Sequence, residues 1–264
     1  MEKKYNWLAI AIGNSRLHWA WFKHHNLIET WDTQYLSNVV KSDELPQLFL
    51  SDNLIKQKYL ELPVYLASVV PQQAQLWQNY SRLNSIALED IKLTNVYPTM
   101  GIDRALSAWG ASVTYNSSCL VIDGGTALTF TGVDEQQKLV GGAILPGLRS
   151  QLTTLNQKTA ALPEVQLSSR LPPRWALDTE QAIISGIVYT AIATVYSYII
   201  DWLRQFPNSK VIFTGGDGEL LSSYLHLYDD AIAIDTIVDP NLVFLGIKLV
   251  YQHQTNQDKP PRIY

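Results

Sequence analysis

A chain of 264 residues, 47% of them hydrophobic, can bury a sizeable core as one large or two moderate domains, which excludes an intrinsically disordered protein. Its 20 basic and 24 acidic residues leave a formal net charge of −4; with no Lys/Arg run standing out, neither nucleic acid nor a membrane surface is expected as a partner. Cys119 is the single cysteine, which excludes an intramolecular disulfide and a Cys-built zinc site and fits a reducing compartment.

The chain opens on MEKKYN and an apolar WLAIAI that is too short for a signal h-region, and no uninterrupted apolar run reaches the ~18 residues of a membrane span. A soluble, cytoplasmic protein is expected. Strands are predicted at Leu8–Ile12, Leu17–Phe22 and Val64–Val70, with a helix-like Glu44–Leu50 and a helix-compatible QQAQLWQNY after Pro71. A helix is predicted over Arg104–Tyr115 and a strand at Cys119–Ile122. ALTFTGVD and LVGGAILPG follow as a hairpin, and a helix from Gln151. The proline-bearing LPEVQLSSRLPPRWALDTE reads as an extended surface loop. Thr179–Leu203 is long and apolar on several faces, a helix buried in the core or against another subunit. A strand in KVIFTGGDG, a helix in ELLSSYLHLY, a strand AIAID and a helix LVFLGIKLVYQ complete the chain before a polar, frayed tail, HQTNQDKPPRIY.

Glycine turns recur in kind. Gly13-Asn14-Ser15 and Gly124-Gly125-Thr126 each separate two apolar strands, which suggests two similar halves; Thr214-Gly215-Gly216-Asp217 is a third such turn. Glycine lets backbone N–H groups approach closely and small hydroxyl residues add donors, so these turns suit phosphate. None matches a P-loop or a strand-to-helix G-x-G-x-x-G. Asp123, at a strand end beside glycines, could coordinate a cation or simply initiate the turn. Asp103-Arg104, at the mouth of a helix, could be a proton acceptor with an anion clamp or an N-cap with a solvated arginine. His18, in a strand beside Trp19, reads more readily as a packed or exposed histidine than as a base.

The motifs IGNSRLHWA, ASVVP, YPTMGIDRALSAWGA, VIDGGTALTF, GGAILPGL, DTEQAIISGI and FTGGDG, in this order, resemble the type III pantothenate kinases of the acetate and sugar kinase, heat-shock chaperone and actin superfamily. That resemblance implies an α/β fold of two ribonuclease-H-like (actin-like ATPase) domains, 1–115 and 116–264, with a central cleft for ATP. It also implies a homodimer and the phosphorylation of pantothenate at the first step of coenzyme A synthesis. Asp103 would be the base on the pantothenate hydroxyl, with Gly101, Ile102, Arg104, Tyr97 and Thr179 around the substrate. Ala11, Ile12, Gly13, Asn14, Ser15 and Arg16 would meet ATP, as would Gly124, Gly125, Thr126, Gly215 and Gly216. Asp123 would bind the monovalent cation, K⁺ or NH₄⁺, used beside Mg²⁺. Two positions depart from the family pattern D-x-G-N-[ST] and its later Asn-Thr pair: Ala11 stands where the first Asp belongs, and Asp178 stands before Thr179. Ala11 favours a rival of another class, a non-catalytic nucleotide- or metabolite-binding regulator on the same fold. The intact Asp103, Arg104, Asp123 and Thr179 favour the enzyme. An actin-like or chaperone-like ATPase is disfavoured because the chain is too short for extra subdomains.

Overall fold

The computed structural model describes residues 6–56, 61–233 and 235–257. The first apolar run is β1 (Asn6–Ile12), and β2 (Leu17–Lys23) and β3 (Asn26–Thr33) follow it as an antiparallel meander. After α1 (Asp52–Lys56), β4 (Val64–Ser68) pairs parallel with β1; α2 (Pro71–Gln75) leads to β5 (Leu83–Ser85), parallel to β4. The sheet order is therefore β3-β2-β1-β4-β5.

After α3 (Ile102–Tyr115) the pattern repeats. β6 (Cys119–Gly124), β7 (Ala127–Val133) and β8 (Leu139–Pro146) form a second meander. Beyond α4 (Leu148–Lys158) and α5 (Thr179–Gln205), β9 (Lys210–Thr214) pairs parallel with β6. Past α6 (Gly218–Tyr228) and α7 (Asp230–Ala233), β10 (Thr236–Val238) pairs parallel with β9. Read from the meander edge, the order β8-β7-β6-β9-β10 matches that of the first sheet. The two similar halves expected from the recurring turns are thus two sheets of one topology. Antiparallel neighbours need only tight turns, whereas the parallel ones need long crossovers.

Two units separate by their internal packing. One comprises residues 1–92, 96–110 and 243–264, the other residues 93–95 and 111–242. The sequence-based cut at 115/116 differs from this division chiefly at the C-terminus, where α8 (Leu242–Gln257) falls almost wholly in the first unit. Aromatic packing explains why: Tyr251 stacks on Trp7 at 4.3 Å and meets Tyr65 edge-on at 5.2 Å. Gly246 also lies so close to the backbone of Leu106 that a Cβ would collide.

In the first unit, alternation assigns Leu8, Ile10 and Ile12 of β1 and Leu17, Trp19 and Trp21 of β2 to one buried face. The opposite face runs from Trp7, Phe22 and Tyr65 at one end to Ala11, Ala67 and His18 at the other. In the second unit, α5 buries ten residues, among them Ile183, Ile187, Ile192, Ile199 and Trp202, in the core with Leu120, Ile122 and Phe130. Each such aliphatic side chain contributes about 1.5–3 kcal/mol. Its mean hydropathy of 1.8 over 18 residues would suit a membrane span by composition, but these ten buried positions make it the core helix expected from the sequence.

Several predicted elements differ. Glu44–Leu50 yields only a 3₁₀ turn at Gln47–Phe49, and the helix after Pro71 stops at Gln75. AIAID is not a strand: Asp230–Ala233 is a helical turn, Ile234 lies outside the described residues, and the strand is Thr236–Val238. β3 was not foreseen because its polar, alternately exposed NLIETWDT lacks an apolar run. The tail expected to fray continues α8 as far as Gln257; its remainder, 258–264, lies outside the described residues.

Candidate active site

The first turn closes β1 onto β2. Ala11 and Ile12 are buried at the end of β1, and the N–H of Gly13 donates to the Arg16 carbonyl at 3.1 Å, which leaves Asn14, Ser15 and Arg16 exposed. Two residues of β3 and the segment after it, unmarked in the sequence, hold this turn. Tyr35 donates its hydroxyl to the Gly13 carbonyl at 2.7 Å. Asp32 accepts from Arg16 Nη1 at 3.0 Å and contacts Nδ1 of His18 at 2.7 Å. No periodicity in NLIETWDT could have revealed that β3 lies against β2 in this register.

Also in the first unit, Gly101 precedes α3, whose first turn carries Ile102, Asp103 and Arg104. Asp103 Oδ1 accepts the Arg104 backbone N–H at 2.8 Å. A Cβ on Gly101 would stand 2.7 Å from that oxygen. Burial pushes the Asp103 carboxyl above its ordinary value, and the Arg104 N–H and charge only partly oppose it. Arg104, 7% exposed, donates Nη1 to the Tyr97 hydroxyl at 3.0 Å. The G-x-D-R motif therefore places a desolvated carboxylate and a buried guanidinium together, as a proton acceptor and an anion clamp require.

In the second unit three glycine turns converge. Gly125 N–H donates to the Ala127 carbonyl at 2.9 Å, the counterpart of the Gly13 bond. Asp217 N–H donates to the Gly124 carbonyl at 2.8 Å, and Gly147 N–H to the Thr126 carbonyl at 3.0 Å. The space is closed to side chains. A Cβ at Gly215 would strike Asp123 Oδ1 and stand 2.7 Å from the Gly124 carbonyl oxygen, one at Gly147 would strike the Gly125 carbonyl, and one at Gly124 would stand 2.7 Å from Leu221. Gly215 also has φ +81°, a conformation open to glycine. Asp123 thus sits among backbone amides and carbonyls at the end of β6, beside the Gly215-Gly216 turn. Among the described residues no group of three or more His, Cys, Asp or Glu side chains gathers to hold a metal. One strand-end carboxylate in a glycine cradle still suits Mg²⁺, which keeps most of its waters, or a weakly held monovalent ion. Sequence reasoning missed Arg149, whose Nε bonds the buried Asp217 at 2.9 Å, and Ser150, whose hydroxyl donates to the Thr126 carbonyl at 2.7 Å.

Thr179 lies at the start of α5. Asp178 is the N-cap, accepting the Gln181 N–H at 2.8 Å, a role in which Asp and Asn are equivalent. Asp178, Thr179, Glu180 and Gln181 line an open surface hollow of about 550 Å³ with Ala161 and Pro163.

A sheet topology repeated twice, with a polar turn after the first strand of each, defines the actin-like ATPase fold. Solved structures agree. A Campylobacter jejuni protein assigned to the Baf family of transcriptional activators matches with a TM-score of 0.62 at 21% identity, over 94% of this chain and 99% of that one. The activator of 2-hydroxyisocaproyl-CoA dehydratase from Clostridium difficile, a structure with bound ADPNP, matches at 0.50 and 11% identity, over 98% and 99%. Sequence comparison narrows the class: the family model for type III pantothenate kinase matches residues 7–201. The type III pantothenate kinase of Nostoc sp. is 46% identical over 92% of this chain and 94% of its own. That of Synechocystis sp. is 44% identical over 95% and 92%. The chain belongs to the type III pantothenate kinase family.

Proposed function

We propose that the protein transfers the γ-phosphoryl group of ATP to the 4′ hydroxyl of pantothenate, giving 4′-phosphopantothenate and ADP, the first step of coenzyme A synthesis. The observation that carries this is the Asp103–Arg104 pair, intact at the mouth of α3 in a chain matched along its length to pantothenate kinases. Asp103 takes the hydroxyl proton as the substrate oxygen attacks the γ-phosphorus and the ADP oxygen leaves. The raised pKa of a buried carboxylate brings it nearer to that task. Arg104, braced by Tyr97, holds the pantothenate carboxylate beside Gly101 and Ile102, and Thr179 is a further substrate contact. Gly13–Arg16 of the first unit, and Gly124–Thr126 and Gly215–Gly216 of the second, each offer backbone amides to ATP. Asp123 holds cation charge at the phosphates, both Mg²⁺ and a monovalent K⁺ or NH₄⁺. Those ions neutralise developing charge when bound, and the remaining catalysis is positioning.

Two further features belong to this proposal. The exposed face of α5, with Ala182, Gly186, Thr190, Ala193 and Ser197, pairs with a second copy of the chain. A cytoplasmic location fits the buried thiol of Cys119, which burial pushes up to about 12. Mass spectrometry of product formed from ATP, Mg²⁺ and pantothenate, with K⁺ or NH₄⁺ salts, tests the function. Absence of phosphopantothenate with every cation would leave the regulator that Ala11 favours.

A further inference from the structure

The two repeats carry their ionisable groups on different strands. In each, a turn glycine follows the first strand, Gly13 or Gly125, with its N–H bonded back across the turn. Two residues before that glycine stand Ala11 in the first repeat and Asp123 in the second. Across the antiparallel pair, Asp123 faces Thr129, whereas Ala11 faces His18, and His18 in turn faces Asp32. Directly opposed residues share a sheet face, so Ala11, His18 and Asp32 form one row beside the turn. The first repeat therefore has no carboxylate on its first strand but a histidine–carboxylate pair on its next two.

The geometry gives that pair a direction. Asp32 contacts His18 Nδ1 at 2.7 Å and holds Arg16 Nη1 at 3.0 Å with its other oxygen. The remaining ring nitrogen points back to the turn: a Cβ on Gly13 would lie 3.6 Å from His18 Nε2. The imidazole is 39% and the carboxylate 44% exposed, so both face a space that a ligand can enter.

We infer that His18, oriented by Asp32, is a side-chain donor that contacts a nucleotide phosphate at the first turn. This rests on the assignment of that turn to ATP. When the ring carries both protons, Nδ1–H bonds Asp32 and Nε2–H is the donor left for a phosphate oxygen, each a charge-assisted bond. Asp32 is the positioning residue, and through Arg16 it also fixes the far side of the turn.

Titration calorimetry of the full chain with Mg²⁺ and the non-hydrolysable analogue AMPPNP, and separately with adenosine, tests this. His18→Val should weaken AMPPNP binding about tenfold or more, the scale of one charged hydrogen bond, and leave adenosine binding unchanged. His18→Lys, which restores a cationic donor, should recover most of the loss. Asp32→Asn should weaken AMPPNP selectively and melt close to the wild type. Equal AMPPNP-to-adenosine ratios in wild type, His18→Val and Asp32→Asn would overturn the inference, as would a Lys variant no better than Val. A wild-type protein that binds no AMPPNP would overturn the nucleotide assignment of the turn together with this inference. AMPPNP binding without pantothenate phosphorylation would overturn the proposed function alone.

Discussion

Gly101 leaves the Asp103 carboxylate the space it occupies: a Cβ there would stand 2.7 Å from Asp103 Oδ1, the oxygen that accepts the Arg104 N–H. Gly101→Ala should swing the carboxylate out of place. Turnover is expected to fall about tenfold or more, the cost of a misplaced base, with melting nearly unchanged because the displaced group is a side-chain end. Initial rates beside a thermal melt check this; full turnover would show that the oxygen's placement is immaterial.

Asp103→Asn should lower turnover roughly 10²-fold or more, as for a lost general base. Burial raises the Asp103 pKa above its ordinary value of 3.8, so the acid limb of the wild-type kcat/KM profile should lie above that of an ordinary Asp and vanish in the variant. The sign for stability is opposite. A folded-state pKa raised above the unfolded one gives stability that is present at low pH and lost as pH rises through the folded value. Asn, neutral throughout and still able to accept the Arg104 N–H, should melt higher than Asp at neutral pH, with the gap closing below the unfolded carboxylate value. A wild type that gains on the variant as pH rises would refute the assignment.

Gly215→Ala meets two obstacles at once, φ +81° and a collision with Asp123 and the Gly124 carbonyl. The backbone of β6 cannot yield as a side chain can, so a loss of at least about 1–3 kcal/mol is expected. Urea unfolding measures it. Gly216→Ala, with nothing within 4 Å of its Cβ, is the control and should be nearly neutral.

Ala11 and Asp123 occupy matching places in the two repeats, and their exchange tests are complementary. Asp123→Ala should abolish stimulation by K⁺ or NH₄⁺; persistent stimulation would assign the ion to another ligand. Ala11→Asp would add a carboxylate opposite His18 and should lower the KM for ATP with little change in that for pantothenate. Because Ala11 is 5% exposed, its melting temperature is measured first. Identical dependence on ATP and Mg²⁺ in a stably folded variant would mean that the carboxylate was never limiting.

A Cβ at Gly186, on the exposed face of the N-terminal third of α5, would meet nothing within 4 Å. On the proposed pairing of α5 with a second copy, Gly186→Trp should leave the protomer's melting intact at dilution while halving the mass seen by light scattering, since a bulky ring blocks close approach of a second α5. An unchanged dimer would move the interface elsewhere.

The turns, the G-x-D-R mouth of α3 and the core character of α5 were legible in the sequence because each is decided within a few residues. Glycine between apolar runs forces a tight polar turn, Asp before a helical run enters its first turn, and apolar residues on several faces require burial. The family followed from the same local motifs. Tertiary structure decided what depends on partners distant in the chain. β3 has too few apolar residues to announce a strand, and only its pairing with β2 puts Asp32 against His18. AIAID alternates too briefly to tell strand from helix, and Asp230–Ala233 packs as a helical turn. The last helix joins the first unit because Trp7 and Tyr65 offer Tyr251 an aromatic seat, and Gly147 and Asp217 reach the second turn only once β8 and β9 are in their sheet. Local chemistry fixes a turn or a cap; register and long-range contact, absent from any short window of residues, fix which side chain stands across from it.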